Sequence, residues 1–528
     1  MNVDVLATNG TTALTWDDSI WILHLSFIIF TMQTGFGLLE IGCARMKNEV
    51  NIMMKNTIDI IFGGLSYWMV GYGLSYGRAK WSNSFIGLGD FFVSTTIDED
   101  QGSYYATFVS QFSYATTART IVSGAVAERM KLGSYIIFSF FNTLIYCLPV
   151  HWIWSPAGFL YQLGAIDASG SGPIHLLGGS SALISAILIG PRIGRFDSDI
   201  TSEINPTNTL VGLFMLWWGW LAFNASCLTG ISGGKWVLVT KAVVNTLNSS
   251  IGAGISGILI TIIETGGKYK VSTFVSSVLS GLVAISAGCT VIETWEAIII
   301  GFIASFIVYF GAKLILWLRI DDPIGATAVH GFGGMWGLLS VGLFCDLDPY
   351  QNQSRNNIGL FHGGGFKSLG LQTLTCICLI VWGCIATFII LGLIKFLVGI
   401  RLTPHDELIG ADISEHDVGE EIPLNLELLE IYNVQFRRRR LSGILMKESN
   451  FKKQLDKIWE KIYKKTNDVR PQSVDSKMDQ HRNSDTRRSS MGSYKVVKLN
   501  KSSVLSKKSN SWVNTEPMKS NLSVVMHI

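Results

Sequence analysis

The sequence predicts an all-α polytopic membrane protein with eleven transmembrane helices, ten of them in a five-plus-five inverted repeat and one extra. Three observations carry that prediction. Only 15% of the 528 residues are charged and 48% are hydrophobic, whereas soluble domains average about 25% charged. Apolar runs of the length that crosses a bilayer, about 20 residues, recur along the chain. The motif H-x-x-G-G occurs twice, at His175 in "GSGPIHLLGG" and at His330 in "TAVHGFGG", 155 residues apart. A closed barrel would show short alternating segments, and none is seen.

In order, the predicted spans are 20–42, 57–76, 104–126, 133–151, 171–190, 207–228, 240–264, 273–291, 295–317, 325–345 and 372–400. The second carries Asp59, the third Arg119, and the seventh opens at Lys241. "HWIWS" follows the fourth, placing Trp152 and Trp154 just beyond its outer end. The sixth holds Trp220 and Phe223, the third Tyr114. Basic residues orient the array, because short cytoplasmic loops collect Lys and Arg. With the amino terminus outside, the inner loops hold eleven of them, from Arg45 to Arg319, against six in the outer loops. Two sequons, at Asn9 and Asn352, then also fall outside as glycosylation candidates. Residues 1–19 contain no Lys or Arg, so no cleavable signal pattern is read there.

His175 falls in the fifth span and His330 in the tenth. An odd number of spans separates them, so the two halves run in opposite senses. Inverted repeats place their substrate site near the midplane, where the halves meet. The glycines one turn after each histidine permit close backbone approach.

A histidine in an apolar bundle can be a satisfied structural residue. Two at matched positions of a repeat suit a site, since intramembrane ionisable groups are functional candidates. Two imidazoles in contact, one donating and one accepting, stay neutral. Such a pair can line a narrow apolar pore or relay a proton. No metal is expected: two ligands are too few, and no Cys or carboxylate accompanies them. Trp154 reads either as an interfacial anchor or, with Tyr114 and Phe223, as a cation–π site at an outer mouth. Asp167 in "AIDASGSG" can cap the fifth helix. Glu40, Asp59 and the Glu128–Arg129 pair read as ties between loops. The eight cysteines form no C-x-x-C pair, and no nucleophile–base pair or phosphate-cradling loop appears. No enzyme activity, cofactor or nucleic-acid partner is therefore expected.

The predicted membrane domain covers 1–400, with repeat one at about 20–190, repeat two at about 207–345 and the last helix at about 372–400. A mixed segment, 401–425, precedes a basic and largely disordered tail, 426–528. Residues 401–528 hold 23 Lys and Arg against 17 Asp and Glu, so the excess positive charge sits there. The Lys-rich stretch 447–465 has a helical period suited to an anionic leaflet. Arg487-Arg488-Ser489-Ser490 offers a kinase a basic context.

From about residue 15 to 425 the chain resembles the Amt/Mep/Rh ammonium transporter family, and its animal-type Amt members above all. "DASGSGPIHLLGGSSALISAILIGPR" carries most of the likeness; "GAVAERM", "HWIWS", "GWLAFNAS", "DDPIGATAVHGFGG" and "ADISEHDVGE" add to it. The resemblance implies the ammonium transporter fold, a homotrimer with one pore per subunit, and a plasma-membrane location. By the same resemblance His175 and His330 take the twin pore positions and Trp154 the outer recruitment site. Asp167 takes the acidic position opening the fifth helix. Phe223 is the lower gating ring, with Trp220 lining the pore nearby. The upper gating position holds Tyr114, and the recruitment hydroxyl position holds Cys227 with Ser226 beside it; a thiol accepts more weakly than a hydroxyl. The segment 401–425 takes the place of the family's cytoplasmic tail, which packs beneath a neighbouring subunit. The implied substrate is ammonium, or methylammonium, crossing as ammonia plus a proton. The alternatives are an electroneutral Rh-type gas channel and an ammonium sensor whose tail engages a cytoplasmic regulator or kinase.

Overall fold

The structure, a computed structural model, describes residues 14–94, 101–196 and 205–419. Asn9 and the tail beyond 419, including 447–465 and Arg487–Ser490, lie outside the described residues. Among those described, secondary structure is helical apart from two isolated bridges. The helices are α1 (Trp16–Cys43), α2 (49–76), α3 (Gln101–Ala125), α4 (Leu132–Trp154), α5 (Ser171–Ile189), α6 (Pro206–Leu228), α7 (Lys235–Thr265), α8 (Val271–Ile285), α9 (Thr294–Trp317), α10 (327–344) and α11 (Phe366–Leu397). These stand where the sequence predicts eleven spans. Seven are long and apolar enough by themselves to cross a membrane: α1, α4, α5, α6, α7, α9 and α11.

Local chemistry sets the starts. Thr15 and Asp18 form a capping box at α1, and Glu293 and Glu296 form another at α9, each satisfying amide groups a helix start leaves open. Two boundaries differ from those predicted. The fourth helix continues through Trp152 and Trp154 to its last turn, so both indoles project from helix rather than loop. The eighth stops at Ile285, because the next carbonyls serve another element: Ser286 and Ala287 accept from the amides of Ser169 and Ala168 at 2.9 Å each.

The loops after α1, α3, α5, α9 and α11 meet on one face, called here the tail face. There Arg192 bridges Glu128 (2.5 Å) and Asp321 (2.9 Å), and Arg195 adds a second contact to Asp321 at 3.2 Å. Arg129 donates to the Asp321 and Gly190 carbonyls at 2.6 and 2.8 Å. The chain after α11 docks on this face through two short helices, α12 (Pro404–Ile409) and α13 (Ala411–His416). Asp412 accepts from the amides of Val50 and Asn51 at the start of α2, at 3.1 and 2.8 Å. Glu415 accepts from Leu132 at the start of α4, at 2.9 Å. Two helix N-termini thus receive carboxylates, where the helix dipole favours negative charge. Lys47 donates to the Glu407 and Leu408 carbonyls, and burial lowers its pKa to about 8.

Glu40 and Asp59 tie helices rather than loops. Glu40 joins Asn56 of α2 (3.0 Å) to Ser123 of α3, and Asp59 accepts from Tyr135 and Ser139 of α4, at 2.6 Å each. Inside an apolar bundle these carboxyl groups find donors only on neighbouring helices.

Two arginines draw on Asp321, whose side chain is fully shielded. Asp321→Asn should lower stability by about 3–5 kcal/mol, the usual cost of removing one partner from a buried pair, read as a fall in Tm of the detergent-solubilised protein. Hydrogen bonds and charge from Arg192, then charge from Arg129, outweigh desolvation and depress the Asp321 pKa far below its ordinary value. Its contribution is therefore present above the unfolded value, about 3.9, and lost as pH falls through the depressed one. Wild type and Asp321→Asn should converge in Tm only on acidification below that value; convergence at neutral pH would refute the assignment.

Candidate functional site

Two broken helix starts build the centre. Before α5, Asp167 turns its carboxylate onto the amides of Gly170 (2.5 Å) and Gly172 (2.7 Å). Gly170 takes φ 93° and a π-helical turn, Ser171–Leu176, carries His175. Before α10 the arrangement recurs: Asp322 accepts from Gly325 (3.1 Å), Ala326 (3.2 Å) and Thr327 (2.7 Å). Gly325 takes φ 80°, and the π turn Thr327–Phe332 carries His330. Both φ values lie where only glycine is unstrained. Asp, Gly and His keep one offset, 155 residues, in both halves. The π turn re-aims the side chains of a single helical turn, here the one that presents each imidazole.

The two starts come from opposite faces and meet. A Cβ on Gly179 would collide with the Gly331 backbone, so these chains touch without side chains between them. The imidazoles stack with centroids 5.2 Å apart and planes 21° apart. Their Nδ1 atoms are 3.2 Å apart, so one donates and the other accepts. His175 is fully buried, His330 nearly so, and His175 Nε2 has no partner. Trp220 stacks on His175 at 5.1 Å, its Nε1 held by Ser286 Oγ at 3.1 Å.

Aromatic rings continue the column toward the face where α1 begins. Phe223 lies 5.9 Å from His175, and Tyr114 meets Phe223 edge-on at 4.5 Å. Trp154 stands 5.8 Å beyond Tyr114, half-buried, its Nε1 anchored to the Asp167 carbonyl at 2.8 Å. The Tyr114 hydroxyl shares a hydrogen bond with Ser226 Oγ (2.5 Å) and lies 2.7 Å from the Phe223 carbonyl. Of the two candidates at the recruitment position, Ser226 therefore reaches Tyr114; Cys227 turns toward Cys289 instead. Below His330 a cavity of about 90 Å³ opens toward the tail face, lined by Phe36, Thr120, Ile121, Ala326 and Val329 among others.

The residues singled out in four separate sequence segments thus form one file: Trp154, Tyr114, Phe223, His175, His330. The model of the family described as Ammonium Transporter Family matches residues 20–421. The chain belongs to that family.

A relative from Caenorhabditis elegans named for ammonium transport is 43% identical over 411 residues, covering 76% of this chain; the chain spans 60% of that relative's length. A solved structure named "Sensor Amt Protein" is 31% identical, with TM-score 0.69 over 76% of this chain and 98% of that one. The crystal structure of Candida albicans Mep2 is 26% identical, with TM-score 0.68 over 78% and 90%.

Beside this ammonium transporter family file stand residues the sequence reading did not assign. Asp322 is one; the 155-residue offset from Asp167 was the available signal. Arg355 is another, without a signal. From an outer loop it donates to the carbonyls of Ile153 (3.3 Å) and Ala165, next to Trp154 and close to Asp167, and stacks 3.8 Å over Tyr161. Arg119 faces protein: it is buried against Gly63 and donates to the Asp59 carbonyl at 3.3 Å and Thr143 at 3.5 Å.

Because Gly179 touches the Gly331 backbone, Gly179→Ala should force α5 and α10 apart at the histidines. Overpacking of this kind costs about 1–3 kcal/mol. Flux through the purified protein in liposomes should fall at least tenfold, while Gly370→Ala, at an open position, leaves it within twofold. Wild-type flux in Gly179→Ala would show that the contact does not set the pair.

Proposed function

We propose that this chain conducts ammonium across the plasma membrane, amino terminus outside and carboxyl terminus in the cytoplasm, as a homotrimer with one pore per subunit. The observation that carries the reading is the direct His175–His330 contact, Nδ1 to Nδ1 at 3.2 Å, at the bottom of an aromatic file. Ammonium, or methylammonium, is captured at the outer mouth between the faces of Trp154 and Tyr114, with the Ser226 oxygen as acceptor and Cys227 at the rim. Cation–π attraction of this kind is worth about 0.5–1 kcal/mol at exposed sites and about 2 when desolvated.

Further in, Phe223 closes the file. A bare cation loses its hydration there, and an unpaired buried ion costs several kcal/mol. The cation therefore gives up a proton at the mouth, and neutral ammonia slips past Phe223. Ammonia needs an acceptor for its N–H groups and a donor for its lone pair. The stacked imidazoles offer both without net charge, and unpartnered His175 Nε2 is the first polar atom it meets. Asp167 and Trp220 act by positioning: one caps the turn bearing His175, the other holds its ring. Potassium cannot shed a proton and stays out. The cavity below His330 then releases ammonia toward the tail face, where it is reprotonated.

The docked segment 401–419 ties α2 to α4 within the subunit; through a neighbour it would couple pores, and a cytoplasmic regulator or kinase would act on it. A sensing role is favoured by one observation, the likeness to the "Sensor Amt Protein" structure over nearly that whole chain. An electroneutral channel is the remaining alternative.

Membrane current and labelled methylammonium uptake, recorded together in expressing cells, decide among these. Saturable inward current with uptake is expected, lost in His175→Ala and His330→Ala or accompanied by potassium leakage. Uptake without current means ammonia conduction. Protein at the surface with neither signal would overturn transport in favour of sensing. Tyr114→Phe should raise the half-saturating concentration about threefold to tenfold at unchanged maximal flux, one hydrogen bond being worth about 0.5–1.5 kcal/mol.

A further inference from the structure

Cys227 and Cys289 have no part in the mechanism above, yet they meet at the mouth. Cys227 lies in the 3₁₀ turn that ends α6, Ser226–Leu228, and is half-buried. Cys289 lies in the turn after α8 and is fully buried. The two thiols are hydrogen-bond neighbours. The Cys289 Sγ also donates to Ser169 Oγ at 3.9 Å and reaches the Asn224 carbonyl at 4.0 Å. Ser169 is two residues past Asp167, and Ser226 is the partner of Tyr114. Both thiols therefore sit on the chain segments that shape the outer pocket.

We propose that Cys227 and Cys289 form a two-coordinate site for a soft, thiophilic monovalent cation, Ag(I) or Cu(I), whose binding closes the mouth. The chemistry of the donors selects the ion. Among the described residues no group of three or more His, Cys, Asp or Glu can hold a metal, which excludes the four-ligand sites zinc prefers. Asp167, the nearest carboxylate, already spends both oxygens on backbone amides. Two thiolates alone suit soft ions. The step balances as two thiols plus one monovalent cation giving a dithiolate complex of charge −1 and two released protons; nothing is oxidised or reduced. Metal–sulfur bonds of about 2.3 Å replace the bonds from Cys289 to Ser169 and Asn224 and draw the end of α6 toward the turn after α8. Ser226 moves with Cys227, away from Tyr114.

The closing of the mouth rests on the transport reading; the binding site does not. The test uses full-length purified protein in nitrate buffer with silver nitrate as probe, then dialysis against glutathione to strip single-thiol sites. Wild type should retain one silver ion per subunit by elemental mass spectrometry. Cys227→Ser and Cys289→Ser, both near-isosteric and checked by gel filtration, should each retain none, while Cys43→Ser retains one. In liposomes the same silver load should cut wild-type methylammonium uptake more than tenfold and the two serine variants less than twofold. Retention of silver by either serine variant, or none by wild type, overturns the site. Silver retained with uptake unchanged overturns the closure. The silver count needs no flux, so a protein that transports nothing would sink the transport reading and leave this site still decided.

Discussion

The contact between α5 and α10 is the constraint on which the rest of the structure depends. Two helices that begin at opposite faces must bring imidazoles together in an apolar interior. Their broken starts leave amide groups open, and an unsatisfied amide in a bilayer costs several kcal/mol. Asp167 and Asp322 meet that cost with carboxylates placed three to five residues ahead of the amides they accept from. The turn after α8 supplies carbonyls to Ala168 and Ser169 and so ends that helix early. With the backbone satisfied, Gly179 and Gly331 can close to contact and the rings can stack. Removing any one part exposes polar groups to hydrocarbon.

Much of this was legible before the coordinates. Span number, the inversion and the His175–His330 meeting follow from apolar run lengths, parity and one repeated motif. What stayed hidden follows from physics that leaves no periodic trace. Convergence of Trp154, Tyr114 and Phe223 depends on helix rotation, which spacing within one helix does not report. The π turns carry no composition signal. Ser226 rather than Cys227 faces Tyr114 because α6 ends in a tighter 3₁₀ turn there, rotating neighbours differently from a continued α-helix. Arg355 works from an irregular loop, where sequence has no register to read.

Arg119 shows how a residue that breaks a local rule is accommodated. A guanidinium inside a span is costly unless neighbouring carbonyls and hydroxyls receive it. The second helix supplies these by departing from α geometry twice, at Asp59–Gly63 and Tyr67–Gly71. The first turn presents the Asp59 carbonyl, and its last residue, Gly63, leaves room where any side chain would strike the guanidinium. Asp59 itself stays with Tyr135 and Ser139, so charge and countercharge lie near each other without a direct ion pair. The cluster joins α2, α3 and α4, the wall behind Tyr114.

On the proposed reading, the same wall bears on how charge crosses. Polar groups reach inward from the mouth as far as the Tyr114 hydroxyl and the Phe223 carbonyl, and they begin again at His175. Between them stands the Phe223 ring, in edge contact with Tyr114 and 5.9 Å from the imidazole. A proton needs a chain of donors and acceptors; ammonia needs only space. A small displacement of Phe223 suffices for ammonia alone, whereas a larger one that admits water restores the chain to the histidine pair. Electroneutral and electrogenic conduction therefore differ, in this architecture, by the amplitude of one ring's motion. Tyr114 sets that amplitude, because its hydroxyl is bonded to the backbone of the very residue that must move.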